Sequence, residues 1–243
     1  MAEPPRQLPL ALPVEAAHGR DDYVVSQANR AAFDLVTNPM WPSDVLVMIG
    51  PEGAGKTHLA AVFAEDTGAT VVAAADLARH DPLTLAPAGR AVVVEDAGEG
   101  IDERALFHLL NAVRQGGGRC LITARRPPAS WGTRLADLAS RLRAATPVEL
   151  GLPDDPLLEA VLAKLFADRQ IAVDPAVVAY AARRMERSFA AAVHLVEALD
   201  REALAAKGPV SRARAAAVLA RLGANEPELP GLDEVDATEN NPS

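Results

Sequence analysis

The stretch Val45-Leu46-Val47-Met48-Ile49-Gly50-Pro51-Glu52-Gly53-Ala54-Gly55-Lys56-Thr57 decides the fold. Its first five residues form an unbroken apolar run, as a strand covered on both faces should. The next eight match the pattern G-x-x-x-x-G-K-[ST] completely, and the residues from Lys56 to Thr67 have helical character up to Gly68. Strand, glycine-rich turn and helix are the context in which curled backbone amides meet phosphate oxygens. The helix N-terminus adds partial positive charge. Pro51, Glu52, Gly53, Ala54, Gly55, Lys56 and Thr57 are therefore candidate phosphate-contacting residues. Lys56 is expected to reach the β- and γ-phosphates, and the Thr57 hydroxyl to ligate Mg²⁺.

Four more apolar runs, Thr70–Ala74, Ala91–Val94, Cys120–Thr123 and Pro147–Leu150, share this strand character. Helical patterns lie between several of them. One is capped by Asp102, carries Leu106, Leu109, Leu110 and Val113, and stops at Gly116–Gly118. Alternating strands and helices predict an α/β fold, an open five-stranded parallel sheet flanked by helices, over residues 19–151. Residues 152–222 then read as a small all-helical unit. Its helices are expected to open at Asp155-Pro156, at Asp174-Pro175, at Ser188 and at Ser211. Residues 1–18 are Pro-rich and read as an extended segment, and the acidic, polar 223–243 read as a disordered tail.

A second chemical signal lies on the third run. Ala91-Val92-Val93-Val94-Glu95-Asp96 is a strand leading into two carboxylates. The first, Glu95, is placed to hold a Mg²⁺ ion with Thr57; the second, Asp96, to position or deprotonate an attacking water. Glu95 is one methylene longer than the Asp usual at the first place, which slows the expected hydrolysis. Thr123, at the end of the next run, is a candidate for orienting that water.

Composition sets the outer limits. The chain has 243 residues, 49% of them apolar and 23% charged, which is ordinary globular usage. A net charge of −9 argues against gripping nucleic acid directly by its phosphates. Cys120 is the sole cysteine, so no intramolecular disulfide forms, which fits a reducing cytosol. The five histidines show no metal-ligand spacing, and no run approaches the roughly 18 apolar residues of a membrane span.

These pieces in this order resemble the AAA+ module of the DnaA family of bacterial replication initiators, and most closely its shorter Hda-type regulatory branch. The resemblance covers residues 7–222. Asp22-Tyr23-Val24-Val25-Ser26-Gln27-Ala28-Asn29-Arg30 is similar to the family's entry to the adenine pocket, which implies that Tyr23, Val24 and Val25 lie near the base. The loop ends Lys56-Thr57-His58 as the family's does, which brings His58 into the site. Leu121-Ile122-Thr123-Ala124-Arg125-Arg126-Pro127-Pro128 resembles the sensor 1 strand and its exit. Asp137-Leu138-Ala139-Ser140-Arg141-Leu142 resembles the Ser-Arg motif, which implies that Arg141 is an arginine finger. Arg187 falls at the sensor 2 position of the helical lid, which implies contact with the phosphates. Gln7-Leu8-Pro9-Leu10-Ala11-Leu12 resembles the peptide by which Hda-type proteins bind the DNA polymerase sliding clamp.

Two features depart from the family's initiators. They continue into a basic helix-turn-helix domain, whereas residues 223–243 here are acidic, so no origin recognition is expected. Arg125 stands near the sensor 1 exit where those initiators carry an acid. The resemblance implies a cytoplasmic, replisome-associated protein that holds ADP or ATP with Mg²⁺. Its partners would be the clamp and DnaA, with DNA reached only through the clamp, no membrane, and a homo-oligomer possible in principle. The implied activity is to promote hydrolysis of DnaA-bound ATP and so restrain initiation. Two other readings stay open: an independent AAA+ ATPase such as a helicase loader or remodelling factor, and a non-catalytic nucleotide-bound adaptor.

Overall fold

The computed structural model describes residues 19–206 and 208–223. The segment Gln7–Leu12 and the acidic residues beyond Gly223 lie outside the described residues. After a short 3₁₀ turn at Arg20–Asp22, the chain forms α1 (Arg30–Thr37), β1 (Val45–Ile49), α2 (Lys56–Thr67), β2 (Thr70–Ala73), α3 (Pro82–Leu85) and β3 (Ala91–Ala97). It continues through α4 (Glu103–Gly116), β4 (Arg119–Ala124), α5 (Ala136–Ala144) and β5 (Thr146–Glu149). Four helices follow: α6 (Asp155–Asp168), α7 (Pro175–Ala182), α8 (Phe189–Ala205) and α9 (Arg212–Gly223).

The five strands make one sheet in the order β2-β3-β4-β1-β5, with every pairing parallel. Because strand side chains alternate faces, β1, β3 and β4 each feed two cores. Val45, Val47, Val92, Val94, Cys120 and Ile122 pack with Leu106, Leu109, Leu110 and Val113 of α4. Leu46, Met48, Val93, Leu121 and Val148 face the other way, onto Leu59, Val62 and Phe63 of α2 and Val36 of α1. Leu46, Leu59 and Leu106 are fully buried, each contributing about 1.5–3 kcal/mol. The lid has its own core, built from Leu157, Leu158, Leu162 and Phe166 of α6, Val177 and Val178 of α7, Leu195 and Leu199 of α8, and Val218 of α9. Among the described residues, no helix is long and apolar enough to cross a membrane.

The helix signals in the sequence have direct structural counterparts, with one correction. Asp102 accepts from the Ala105 amide at 2.9 Å and caps α4, whose end is turned by Gly117 at φ 68°. Asp174 and Ser188 cap α7 and α8 in the same manner. At α6, however, the cap is Asp154 and not Asp155. Asp154 stands three residues ahead of the free Leu157 amide and accepts from it at 2.9 Å, leaving Asp155 as the first helical residue.

The third strand also departs from expectation. It does not stop at Val94 but runs to Ala97, with a shift of register against β4 between Val94 and Ala97. Glu95 and Asp96 therefore occupy a bulge inside the strand. Asp96 sits there at φ 55°, a left-handed conformation that Asp tolerates better than most residues.

Candidate functional site

The candidate site lies where the C-terminal ends of β1, β3 and β4 meet the start of α2 and the first residues of α8. Open parallel sheets bind ligands in this kind of crevice. The Gly50 amide donates to the Ala124 carbonyl at 3.1 Å, so the loop leaves β1 tied to the end of β4. The loop then turns at Pro51–Ala54, with the Ala54 amide reaching the Pro51 carbonyl at 3.4 Å. Gly53 and Gly55 adopt φ of 76° and 88°. These left-handed values suit glycine and curl the chain so that successive amides face inward. The amides of Gly53, Gly55, Lys56 and Thr57 have no acceptor among the described residues. A cradle of free donors at a helix start fits a phosphate chain.

Lys56 is buried, and its ammonium donates to the Gly50 carbonyl at 2.9 Å and the Pro51 carbonyl at 2.7 Å. An ammonium has three donors, so these two bonds aim the group and leave the third for a ligand oxygen. Burial lowers the Lys56 pKa, Asp96 nearby raises it, Arg125 lowers it and Glu52 raises it. Four charges thus share one neighbourhood. Glu52 is further tied to Arg125 by an ion pair of 2.9 Å.

The acids and Thr123 are brought together by the bulge. The Thr123 hydroxyl is buried and accepts from the Asp96 amide at 3.0 Å, which locks the carboxylate-bearing turn to β4. Asp96 is exposed and Glu95 half-buried. Thr57 is exposed at the head of α2. Among the described residues, no group of three or more His, Cys, Asp or Glu side chains forms a metal site. An Mg²⁺ ion carried on phosphates takes only one or two protein ligands. Thr57 and Glu95 are of the right chemistry to supply them.

The residues expected near the base divide between two cores. Tyr23 is buried, stacked on Phe33 with centroids 5.4 Å apart, and set edge-on to His58 at 5.0 Å. Burial pushes its hydroxyl up to about 12, with nearby Asn29 pulling the other way, though among the described residues no group meets the oxygen in hydrogen-bonding geometry. Val24 packs against the lid core and Val25 against the sheet core, so the segment stitches the two halves. Asn29 fixes it by donating to the Val24 carbonyl at 2.9 Å and accepting from the Ser26 amide at 2.8 Å.

Arg187 precedes the cap of α8 and is turned toward the start of α6. It donates to the Asp155 carboxylate at 2.6 Å and to the Pro153 carbonyl at 3.3 Å. Arg141 is the site residue with a different setting. It lies in the last turn of α5, half-buried, with its guanidinium 5.4 Å from the Phe107 ring of α4.

Several participants were not singled out by sequence reasoning. A Cβ on Gly53 would stand 2.5 Å from Cβ of Ser188, and one on Gly55 2.7 Å from the Phe189 ring. The lid therefore rests directly on the loop glycines. A Cβ on Gly50 would meet the Leu150 carbonyl oxygen at 2.3 Å. That oxygen belongs to the main chain, so nothing flexible gives way. Gly50→Ala is expected to cost about 2–3 kcal/mol in urea unfolding. An unchanged midpoint would show that the contact yields easily.

Parallel sheet, glycine loop, bulged acid pair and helical lid together define the fold of an AAA+ P-loop module. Among solved structures, the chain is similar to domain III of the replication initiation protein DnaA from Thermotoga maritima. The TM-score is 0.74 at 16% identity, over 86% of this chain and 98% of that one. It is also similar to the Thermotoga maritima RuvB Holliday junction branch migration motor, with a TM-score of 0.60 at 17% identity, over 80% of this chain and 66% of RuvB. A third is AMPPCP-bound DnaA from Aquifex aeolicus, with a TM-score of 0.61 at 16% identity, over 75% of this chain and 64% of that one. At these identities the likeness is one of fold. No protein-family model and no curated protein matches the chain.

Proposed function

We propose that this chain binds ADP or ATP with Mg²⁺ in the 50–57 loop and acts as a cytoplasmic, clamp-associated regulator that promotes hydrolysis of DnaA-bound ATP. The observation that carries the nucleotide half is the row of free amides at Gly53, Gly55, Lys56 and Thr57, beside an ammonium aimed by two loop carbonyls. An adenine nucleotide bound in DnaA of the same fold supports the choice of ligand. The regulatory half rests on Gln7–Leu12 and Arg141. The peptide seats leucines in an apolar pocket of the clamp, and its Pro9 restricts the free segment, which reduces the entropy lost on docking. Arg141 then enters the shared interface with ATP-bound DnaA.

The test is hydrolysis of DnaA-bound ATP on clamp-loaded DNA, with this protein intact or lacking residues 7–12. The intact protein is expected to accelerate hydrolysis and to be retained by immobilised clamp; the shortened one should do neither. Equal acceleration by both would sink the clamp role.

A second reading, turnover of its own nucleotide, is favoured by the Asp96 amide bonded to Thr123 within the acid bulge. Fast steady-state hydrolysis by the purified protein alone, without clamp or DnaA, would favour it.

A further inference from the structure

Arg187 begins a short path between the two halves of the molecule. The residue after it, Ser188, lies on the phosphate loop, with Cβ and Cα 2.5 Å and 3.3 Å from where a Gly53 Cβ would be. The backbone of Arg187 is therefore at the loop. Its side chain instead reaches the segment that joins β5 to α6, where the Asp155 carboxylate and the Pro153 carbonyl accept its guanidinium N–H groups. That joining segment also touches the loop, through the Leu150 carbonyl against Gly50.

Asp155 is an acid in the first turn of α6, where its charge favours the helix N-terminus, but it is not the cap. Asp154 performs the capping of α6, and Arg187 is the hydrogen-bond and ion-pair partner that Asp155 shows. A guanidinium binds carboxylate and phosphate by the same planar fork, so the two anions are interchangeable partners. The pair is half exposed on the arginine side and about a third on the aspartate side, 50% and 35%. A pair so exposed is weak, which makes it exchangeable.

We propose that Asp155 is a positioning residue that competes with nucleotide phosphate for Arg187, so that phosphate binding trades the Asp155 carboxylate for the ligand and releases the lid from its tie to the β5–α6 segment. This rests on the reading that the loop binds adenine nucleotide. The competitor lowers apparent affinity by the fraction of molecules whose arginine it holds. The trade is written on one side chain, so the two ends of the pair have opposite effects on affinity. A purely structural ion pair would give the same sign at both ends.

The test is calorimetry of ADP with Mg²⁺ on the wild type, D155N, D155E, R187A and D155N/R187A, with ligand-free thermal unfolding of each. D155N is expected to bind ADP about two- to fivefold more tightly, and R187A about tenfold more weakly. D155E should behave as the wild type, and the double variant as R187A. Adenosine, which lacks phosphate, should bind D155N and wild type alike. Asp154 keeps the helix cap, so D155N should unfold within a few degrees of the wild type. If wild type binds ADP and D155N binds it equally or more weakly, this inference falls and nucleotide binding stands. If wild type binds no ADP, both fall.

Discussion

Arg141→Ala is expected to lower the stimulated hydrolysis of DnaA-bound ATP on clamp-loaded DNA by about a thousandfold or more, within the ~10³–10⁵ that an arginine finger supplies. The chemistry sets the size. Charge spreads over the transferring phosphoryl oxygens, and a guanidinium delivered across an interface meets it in a water-poor site. The structure says why folding should survive the change. Leu138 and Leu142, not Arg141, anchor α5 in the sheet core. Alanine forfeits the contact over Phe107, worth about 0.5–2 kcal/mol for a half-buried guanidinium. Thermal unfolding near that of the wild type, with stimulation lost, is the expected pair of results. Arg141→Lys should rescue little, because an ammonium does not reproduce the planar fork. Undiminished stimulation by the alanine variant would remove Arg141 from the reaction.

Lys56→Ala should cut ADP affinity about a hundredfold or more. A charge-assisted bond to phosphate is lost in a place where the ammonium is buried and already oriented. The Gly50 and Pro51 carbonyls lose their donor as well, so the loop itself loosens. Ligand-dependent stability measures this directly. At a free ADP concentration a hundred times its dissociation constant, the wild type gains about 2.7 kcal/mol, and the variant at the same concentration should gain well under 1 kcal/mol. Calorimetry should agree. A variant still fully stabilised by ADP would mean that the loop is not where the nucleotide sits.

The sheet was legible because its central strands β1, β3 and β4, buried on both faces, leave unbroken apolar runs; β2 and β5 lie at its edges, partly exposed, and their runs are strands as well. The loop was legible because its chemistry needs particular residue types at fixed spacing. What escaped was whatever depends on long-range geometry. The bulge at Glu95–Asp96 leaves no local signature, since Asp takes a left-handed conformation without glycine's help. The helix α5 is short, and its apolar anchors Leu138 and Leu142 make too brief a pattern to stand out. Asp154 and Asp155 are equally good caps by type; only the direction of the Leu157 amide separates them. The partners of Arg125 and Arg187 are 73 and 32 residues distant in sequence, and no motif predicts such pairs.

The seating of Ser188 and Phe189 on Gly53 and Gly55, together with Val24 and Val25 entering different cores, bears on how this molecule can be dissected. An excised α/β piece ending at Glu149 would lose the ring that covers Gly55 and the neighbours of Val24. Its loop, held in a left-handed curl at one end and unsupported along its flank, would have lost a wall. Expressed alone, the α/β portion should unfold at a lower midpoint than the whole described body, because part of its loop wall belongs to the lid.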